Sequence, residues 1–453
     1  MTRLAFFTPL RPAPTGVADY AHELLPCLAE AGERIDVFYH GSPPAGEDLG
    51  KWVTLHPVRD FEWRDARMPY ELCLYHMGNN PLHDYMYAVM YQHPGLIVLH
   101  DTTLQQARIH ACLARGDFAP FRHEFTASYG AVAAQRAPLL TAGFGHHVVY
   151  HEYPLLKPVL WANAGAIVHN QDGVTQIRRE HAEIPVTVVP SPLTLPPGID
   201  PAWDQVRAKT QLKLDPAVEL AVACGLITEN KGILPLLEAV ARLAPTRPAF
   251  KLALAGAEHK GFPVRQYIKD MGLEQIVIVA GHVSQLEFHH WIQAADVCVN
   301  LRYPTQGETS AVLVRMLGLG RAVIIPDYRQ FREIPSAAAV HVKLGPGLNQ
   351  RIAAILDSLL GEPARRRHIE TEARRFALAE HSMERAVAGY QRAIKDAAVR
   401  AKLIVPVVRR GIFAHASDAR AALANAIAAQ CAATQFREAE VLSAELSMEM
   451  GLI

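Results

Sequence analysis

The chain has 453 residues, about three times the usual single-domain size, so two domains, or two plus an appendage, are expected. Half of the residues are apolar and 20% are charged, which supplies large cores and excludes global disorder. Lys plus Arg and Asp plus Glu both number 45, and this zero balance excludes a whole-protein attraction to nucleic acid or an anionic membrane, so any phosphate site must be local.

Short apolar, β-rich runs alternate with stretches of helical period, the pattern of a parallel sheet built from βαβ units. Strands are predicted at 4–7, 35–39, 71–75, 96–100, 166–169 and 186–190, then at 220–224, 251–255, 276–280, 297–301 and 322–326. Between the two sets runs PSPLTLPPGIDP, residues 190–201, where five prolines and a glycine in twelve residues forbid regular structure and mark a linker. The organisation expected is a Rossmann-like domain over 1–190, a linker over 191–216, a second Rossmann-like domain over 217–375, a helix packing back on the first domain over 376–402, and a helical extension over 403–453. The alanine-rich extension either completes a surface or pairs with a partner or a second copy through 404–453.

The six cysteines are scattered, form no C-x-x-C pair and mostly sit in apolar runs, as buried thiols do in a reducing compartment. The N-terminal apolar run is too short for a signal peptide, and no run of about 18 apolar residues occurs. The expected location is therefore the cytoplasm, with peripheral contact at the inner face of the membrane left open. The 22 histidines invite a metal reading around His146, His147, His151 and Glu152, but no H-E-x-x-H accompanies them and no metal is expected. G-x-S-x-G and G-x-G-x-x-G are also absent, which weakens hydrolase and dehydrogenase readings.

In parallel sheets, ligands bind beyond the carboxyl ends of the strands, so the loops there are where chemistry is sought. The first loop, Thr8 to Tyr20, is stiffened by prolines and ends at Gly16, with Asp19 on the first helical turn; it either admits a ligand close to the backbone or is an ordinary strand-to-helix turn. The next strand ends deliver Asn79, Asn80 and His83, then His100 and Asp101, then His169 and Asn170. Such clusters suit a hydroxylated ligand or serve as caps. In the second half, Gly225 to Gly232 sets Lys231 at the mouth of a helix, beside free amides that suit phosphate, unless that lysine is merely solvated. Arg302 to Ser310 precedes another helix, where Glu308 can cap or accept hydrogen bonds from sugar hydroxyls.

Taken in order, Gly225–Gly232, Leu254–Gly256, Gly281–Val283, Ala294–Asp296 and Arg302–Gly320 resemble the nucleotide-binding domain of retaining glycosyltransferases of the family-4 type with the GT-B fold (glycosyl transferases group 1). With the Pro-x-x-x-Gly16 loop and Asp19-Tyr20, the resemblance covers roughly residues 1–390, and the wording Pro304-Thr-x-Gly307-Glu-Thr-Ser310 resembles a subgroup active on polysaccharide or other surface glycans. It implies an α/β fold of two Rossmann-like domains facing across a cleft that closes about the linker. It also implies sugar transfer from a nucleotide sugar to a glycan, lipid-linked or protein acceptor, with retention, no cofactor and no nucleic acid partner.

By the same resemblance His100, Glu308 and Lys231 are the catalytic candidates. Gly16, Asp19, Gly225, Arg302, Gly307, Thr309, Ser310, Ala311 and Arg315 are donor-binding candidates, and Asn79, Asn80, His83, Asp101 and His169 line the acceptor or sugar pocket. Two departures stand out: Leu226 falls where the family carries a phosphate-loop arginine, and Met316 stands where it carries the ribose-binding glutamate, with Arg315 before it. They leave room for a GT-B-like binding or scaffold protein without catalysis, and for a nucleotide-sugar epimerase.

Overall fold

A computed structural model describes residues 2–41, 49–143 and 147–414. They divide into two compact units: one takes the residues through Pro190, the short segment Gln306–Thr309 and the chain from Glu384 onward, and the other takes Ser191–Thr305 and Ser310–Met383.

The first unit is built on seven parallel strands, β1 (Arg3–Phe7), β2 (Arg34–Tyr39), β3 (Val53–Pro57), β4 (Leu72–Met77), β5 (Leu96–Leu99), β6 (Gly165–Val168) and β7 (Val186–Val188), in the order β3-β2-β1-β4-β5-β6-β7. Leu4, Ala5, Phe6 and Phe7 of β1 are wholly buried, as a central parallel strand covered on both faces requires. Phe7 stacks between Phe38 and Tyr75, at 5.3 and 4.9 Å, and meets Phe61 edge-on at 5.1 Å. Each such ring contributes about 1.5–3 kcal/mol by burial alone.

The second unit holds six parallel strands, β8 (Glu219–Cys224), β9 (Phe250–Ala255), β10 (Val277–Gly281), β11 (Val297–Val299), β12 (Val323–Pro326) and β13 (Val340–Val342), in the order β10-β9-β8-β11-β12-β13. In both sheets the order reverses beside the first strand, between β1 and β4 and between β8 and β11. The connections from the strands on either side of that point leave in opposite directions, which is where parallel sheets bind ligands.

Eleven strands fall within a residue or two of expectation, whereas β3 and β13 were not foreseen. Both are edge strands with mostly half-buried residues, so neither carries the continuous apolar run that marks a central strand. The stretch 191–216 is not all linker: Gln205–Gln211 is a helix, capped by Asp204, whose Lys209 ammonium bonds the buried Asp296 carboxylate at 2.7 Å within the second unit. The charged stretch after 363 is two helices, Pro363–Glu380 and Met383–Ala414, so a boundary at 375 falls inside the first of them. The break comes at His381, whose Nδ1 donates to the Ser191 carbonyl at 2.8 Å. Ala373 and Ala377 of the first helix pack in the second unit's core, while Tyr390 of the following helix is buried in the first unit against Tyr20, hydroxyl to hydroxyl at 3.1 Å. No described helix is long and apolar enough to cross a membrane. Residues 415–453, most of the proposed pairing segment, lie outside the described residues, as does His146.

Candidate functional site

In the first unit the loop after β1 leads into the helix Gly16–Glu30, with Thr15 as its cap. A Cβ at Gly16 would meet no atom within 4 Å, so the space beside it is open. Asp19 has a partner inside its own loop: Arg11 Nε donates to its Oδ1 at 2.6 Å. Arg11, not singled out in the sequence, is thus the cation of this loop. The pair is partly exposed, so it orients the loop more than it stabilises the fold.

The ends of β4, β5 and β6 bring three imidazoles into a row. His76 Nδ1 lies 3.0 Å from His100 Nε2, His100 Nδ1 lies 3.2 Å from His169 Nε2, and His169 Nδ1 lies 2.9 Å from the Val189 carbonyl. Burial, and then the neighbouring imidazoles, hold His76 and His100 well below the ordinary histidine range. The strand expected at 71–75 runs on to Met77, so His76 lies inside β4 rather than in the polar stretch after it. His83, expected in an open pocket, is buried behind this row, donates from Nδ1 to the His76 carbonyl at 2.7 Å, and is depressed by burial to about 4. Asp101 Oδ2 accepts the Asn79 amide at 2.6 Å, Asn79 Oδ1 accepts the Ala107 amide, and Asn80 caps the turn at Leu82. These three residues shape the loop walls.

The segment Gln306–Thr309 is anchored at the same strand ends of this unit. The Thr102 amide and hydroxyl both donate to the Gln306 carbonyl, at 2.8 and 3.1 Å. Asn170 Nδ2 donates to the Gly307 carbonyl at 2.9 Å and to Thr309 Oγ1 at 3.0 Å, and Thr309 Oγ1 donates to the His169 carbonyl at 3.2 Å. Gly307 has φ +84°, and a Cβ there would stand 2.0 Å from Thr102 Oγ1. Glu308 Oε2 accepts the Gln306 amide at 2.8 Å, which fixes the carboxylate over the turn. Asn170 also caps the helix Gln171–Glu180. The Asn170 and Thr102 anchors cannot be read from the sequence, since both partners are more than 130 residues away.

In the second unit the loops after β8 and β11 converge at the reversal point. Gly225 has φ +97°, and a Cβ on it would stand 2.7 Å from Lys231 Nζ, so the ammonium lies over the glycine backbone. The Tyr303 amide donates to the Asn230 carbonyl at 2.7 Å and ties the two loops together. Arg302 Nη2 donates to Ser310 Oγ at 3.0 Å, and the same oxygen caps the helix Ala311–Gly318 by accepting the Leu313 amide. With Leu313 taken, the earlier amides of that turn, at Ala311 and Val312, have no helical acceptor. Asn300, buried and not foreseen, lines a small cavity with Gly225, Lys231 and Leu301, and no donor reaches its Oδ1 among the described residues. Two cations, a glycine backbone and a helix start meet at this corner, a set of groups whose chemistry suits an anion. Burial pushes the nearby Cys224 thiol up to about 12, so it is inert there.

Arg315 lies on the same helix, but its Nε donates to the Thr194 carbonyl at 3.4 Å. Met316 is wholly buried in the core, and Leu226 is half-exposed.

Residues 219–361 match the family model of glycosyl transferases group 1. The fold is similar to that of sucrose-phosphate synthase from Thermosynechococcus elongatus, at 17% identity over 87% of this chain and 98% of that one, with a TM-score of 0.64. It is also similar to WaaG, a glycosyltransferase involved in lipopolysaccharide biosynthesis, at 14% identity over 85% of this chain and 98% of that one, with a TM-score of 0.58. A third likeness is to Anabaena HepE in complex with UDP-glucose, at 15% identity over 87% and 99%, with a TM-score of 0.53. No curated protein sequence matches the chain. At these identities the structural likenesses establish the GT-B fold.

Proposed function

We propose that the protein transfers a sugar from a nucleoside diphosphate sugar to an acceptor hydroxyl with retention, in the manner of family-4 enzymes, in the synthesis of a glycan or surface polysaccharide. The observation that carries this reading is the anion-binding corner of Gly225, Lys231, Arg302 and the Ser310-capped helix, which lies inside the stretch that matches the family model. UDP-glucose bound to HepE supports the same donor class.

In the reaction the bond from the anomeric carbon to the diphosphate oxygen breaks, and its electron pair leaves with the nucleoside diphosphate. The acceptor oxygen forms the new bond, and its proton passes to the departing diphosphate oxygen. Charge therefore grows on the diphosphate, and fixed cations and helix-end amides lower the barrier most where that charge grows. Lys231 and Arg302 take this part, with the amides of Thr309–Ala311. Glu308, held by the Gln306 amide, accepts from hydroxyls of the donor sugar. Gly16 leaves room for the diphosphate, His100 lies beside the transferred sugar, and Asn79, Asn80 and Asp101 border the acceptor. Ribose is held without a carboxylate at position 316.

The test is to mix the protein with a panel of nucleotide sugars and follow thermal stabilisation and release of free nucleoside diphosphate. Lys231→Ala and Glu308→Ala are each expected to cut turnover more than about tenfold with unchanged circular dichroism. No binding and no hydrolysis with any donor, or near-normal turnover in both variants, would overturn the reading.

A further inference from the structure

The row of three imidazoles has a direction. A carbonyl oxygen only accepts, so a neutral His169 carries its proton on Nδ1, facing Val189, and turns a lone pair at Nε2 toward His100. His100 must then hold its proton on Nδ1 and present a lone pair at Nε2 to His76, whose proton sits on Nδ1. The opposite order would set two lone pairs against each other at 2.9 Å between His169 and Val189. It would also place an N–H on His76 Nε2, a buried atom with no partner among the described residues.

We infer that His169 and His76 are positioning residues for His100: a hydrogen-bond chain anchored on the Val189 carbonyl locks it as the neutral Nδ1–H tautomer, with both ring nitrogens engaged and no proton to exchange with a ligand. The surroundings favour this state from every side. Tyr20, from the helix Gly16–Glu30, lies edge-on to His100 at 4.8 Å, and Tyr390, from the helix that begins at Met383, stacks on His76 at 6.0 Å. Both phenols are raised by burial and stay neutral. Phe6 covers His76 from β1 at 4.4 Å, and His83 donates its proton to the His76 carbonyl. Two carboxylates in the loops at these strand ends accept backbone donors: Asp101 takes the Asn79 amide, and Glu308 takes the Gln306 amide. A proton added to the row would bury a cation and orphan an N–H on His76.

The tautomer assignment needs only the first unit, and its consequence for turnover rests on the transferase reading. The full-length chain is labelled with 15N-histidine, and long-range proton–nitrogen spectra distinguish Nδ1–H, Nε2–H and doubly protonated rings. His76 and His100, assigned by their loss in single His→Gln variants, are expected to keep the Nδ1–H pattern from about pH 8 to about pH 5.5. An Nε2–H or charged His100 in that range would overturn the proposal. His169→Phe keeps a ring but removes the anchor, so His100 is expected to gain a population of the Nε2–H tautomer. An unchanged His100 pattern in that folded variant would remove the positioning role, and if the variant fails to fold, the wild-type spectrum still decides the tautomer. With an active donor, wild-type kcat is expected to vary less than about twofold through the histidine range. If no donor is turned over, the transferase reading fails while the spectra still decide the lock.

Discussion

Lys231 and Gly225 act as one device: the ammonium rests where a side chain on Gly225 would stand, 2.7 Å from the position of its Cβ. Gly225→Ala must move either the backbone, which has φ +97°, or the lysine. It is expected to weaken nucleoside diphosphate binding about tenfold in calorimetry, roughly the effect of losing one charge-assisted contact. Unchanged affinity would remove Lys231 from the binding site. Gly307→Ala meets Thr102 Oγ1 at 2.0 Å and is expected to cost about 1–3 kcal/mol of stability in urea titrations. Gly16→Ala, where 4 Å of open space surrounds the position, is expected to leave the melting temperature unchanged. All three glycines stand in, or at the end of, a loop that follows a strand, and they look alike in the sequence. Only their distant neighbours separate a constrained glycine from an open one.

At the scale of elements, the helix Ala311–Gly318 links stability to the anion corner. Ser310 Oγ caps it at Leu313 and takes the Arg302 guanidinium as a second donor. Ser310→Ala is expected to destabilise the protein by about 1 kcal/mol and to lower affinity for nucleoside diphosphate, with Ser310→Thr restoring the cap. If Ser310→Ala loses stability but keeps full affinity, Arg302 does not depend on Ser310 for its position. The helix start was legible from the apolar run, but the cap was sought at Glu308, and it is Ser310 that accepts the Leu313 amide. The edge strands β3 and β13 were not legible, because their half-buried residues carry no apolar run. Nor was the helix Gln205–Gln211, which hides behind a proline-rich run.

Across the whole molecule, burial keeps many histidines neutral. His76 and His100 lie well below the ordinary range, and His83, His181 and His289 are pushed down to about 4. Unfolded, each titrates near 6.5, so below that pH the unfolded chain binds protons that the native chain does not. The stability they contribute is present above about pH 6.5 and is lost as pH falls toward 4, with a slope of up to about 1.4 kcal/mol per pH unit for each histidine. Urea midpoints are expected to drop between about pH 7 and about pH 5, and a flat profile would mean these rings are charged in the native state. The sequence by itself determined the class of fold, the two sets of βαβ units, and the loops in which chemistry was to be sought, because apolar period, proline clusters and strand-end residues are local properties of the chain. The tertiary structure alone decided which of those residues meet. His76, His100 and His169 stand 24 and 69 residues apart yet share protons, and Asn170 reaches Gly307 across 137 residues. Parallel pairing sets distant strand ends side by side, and nothing in the local pattern of either strand specifies the neighbour it will have.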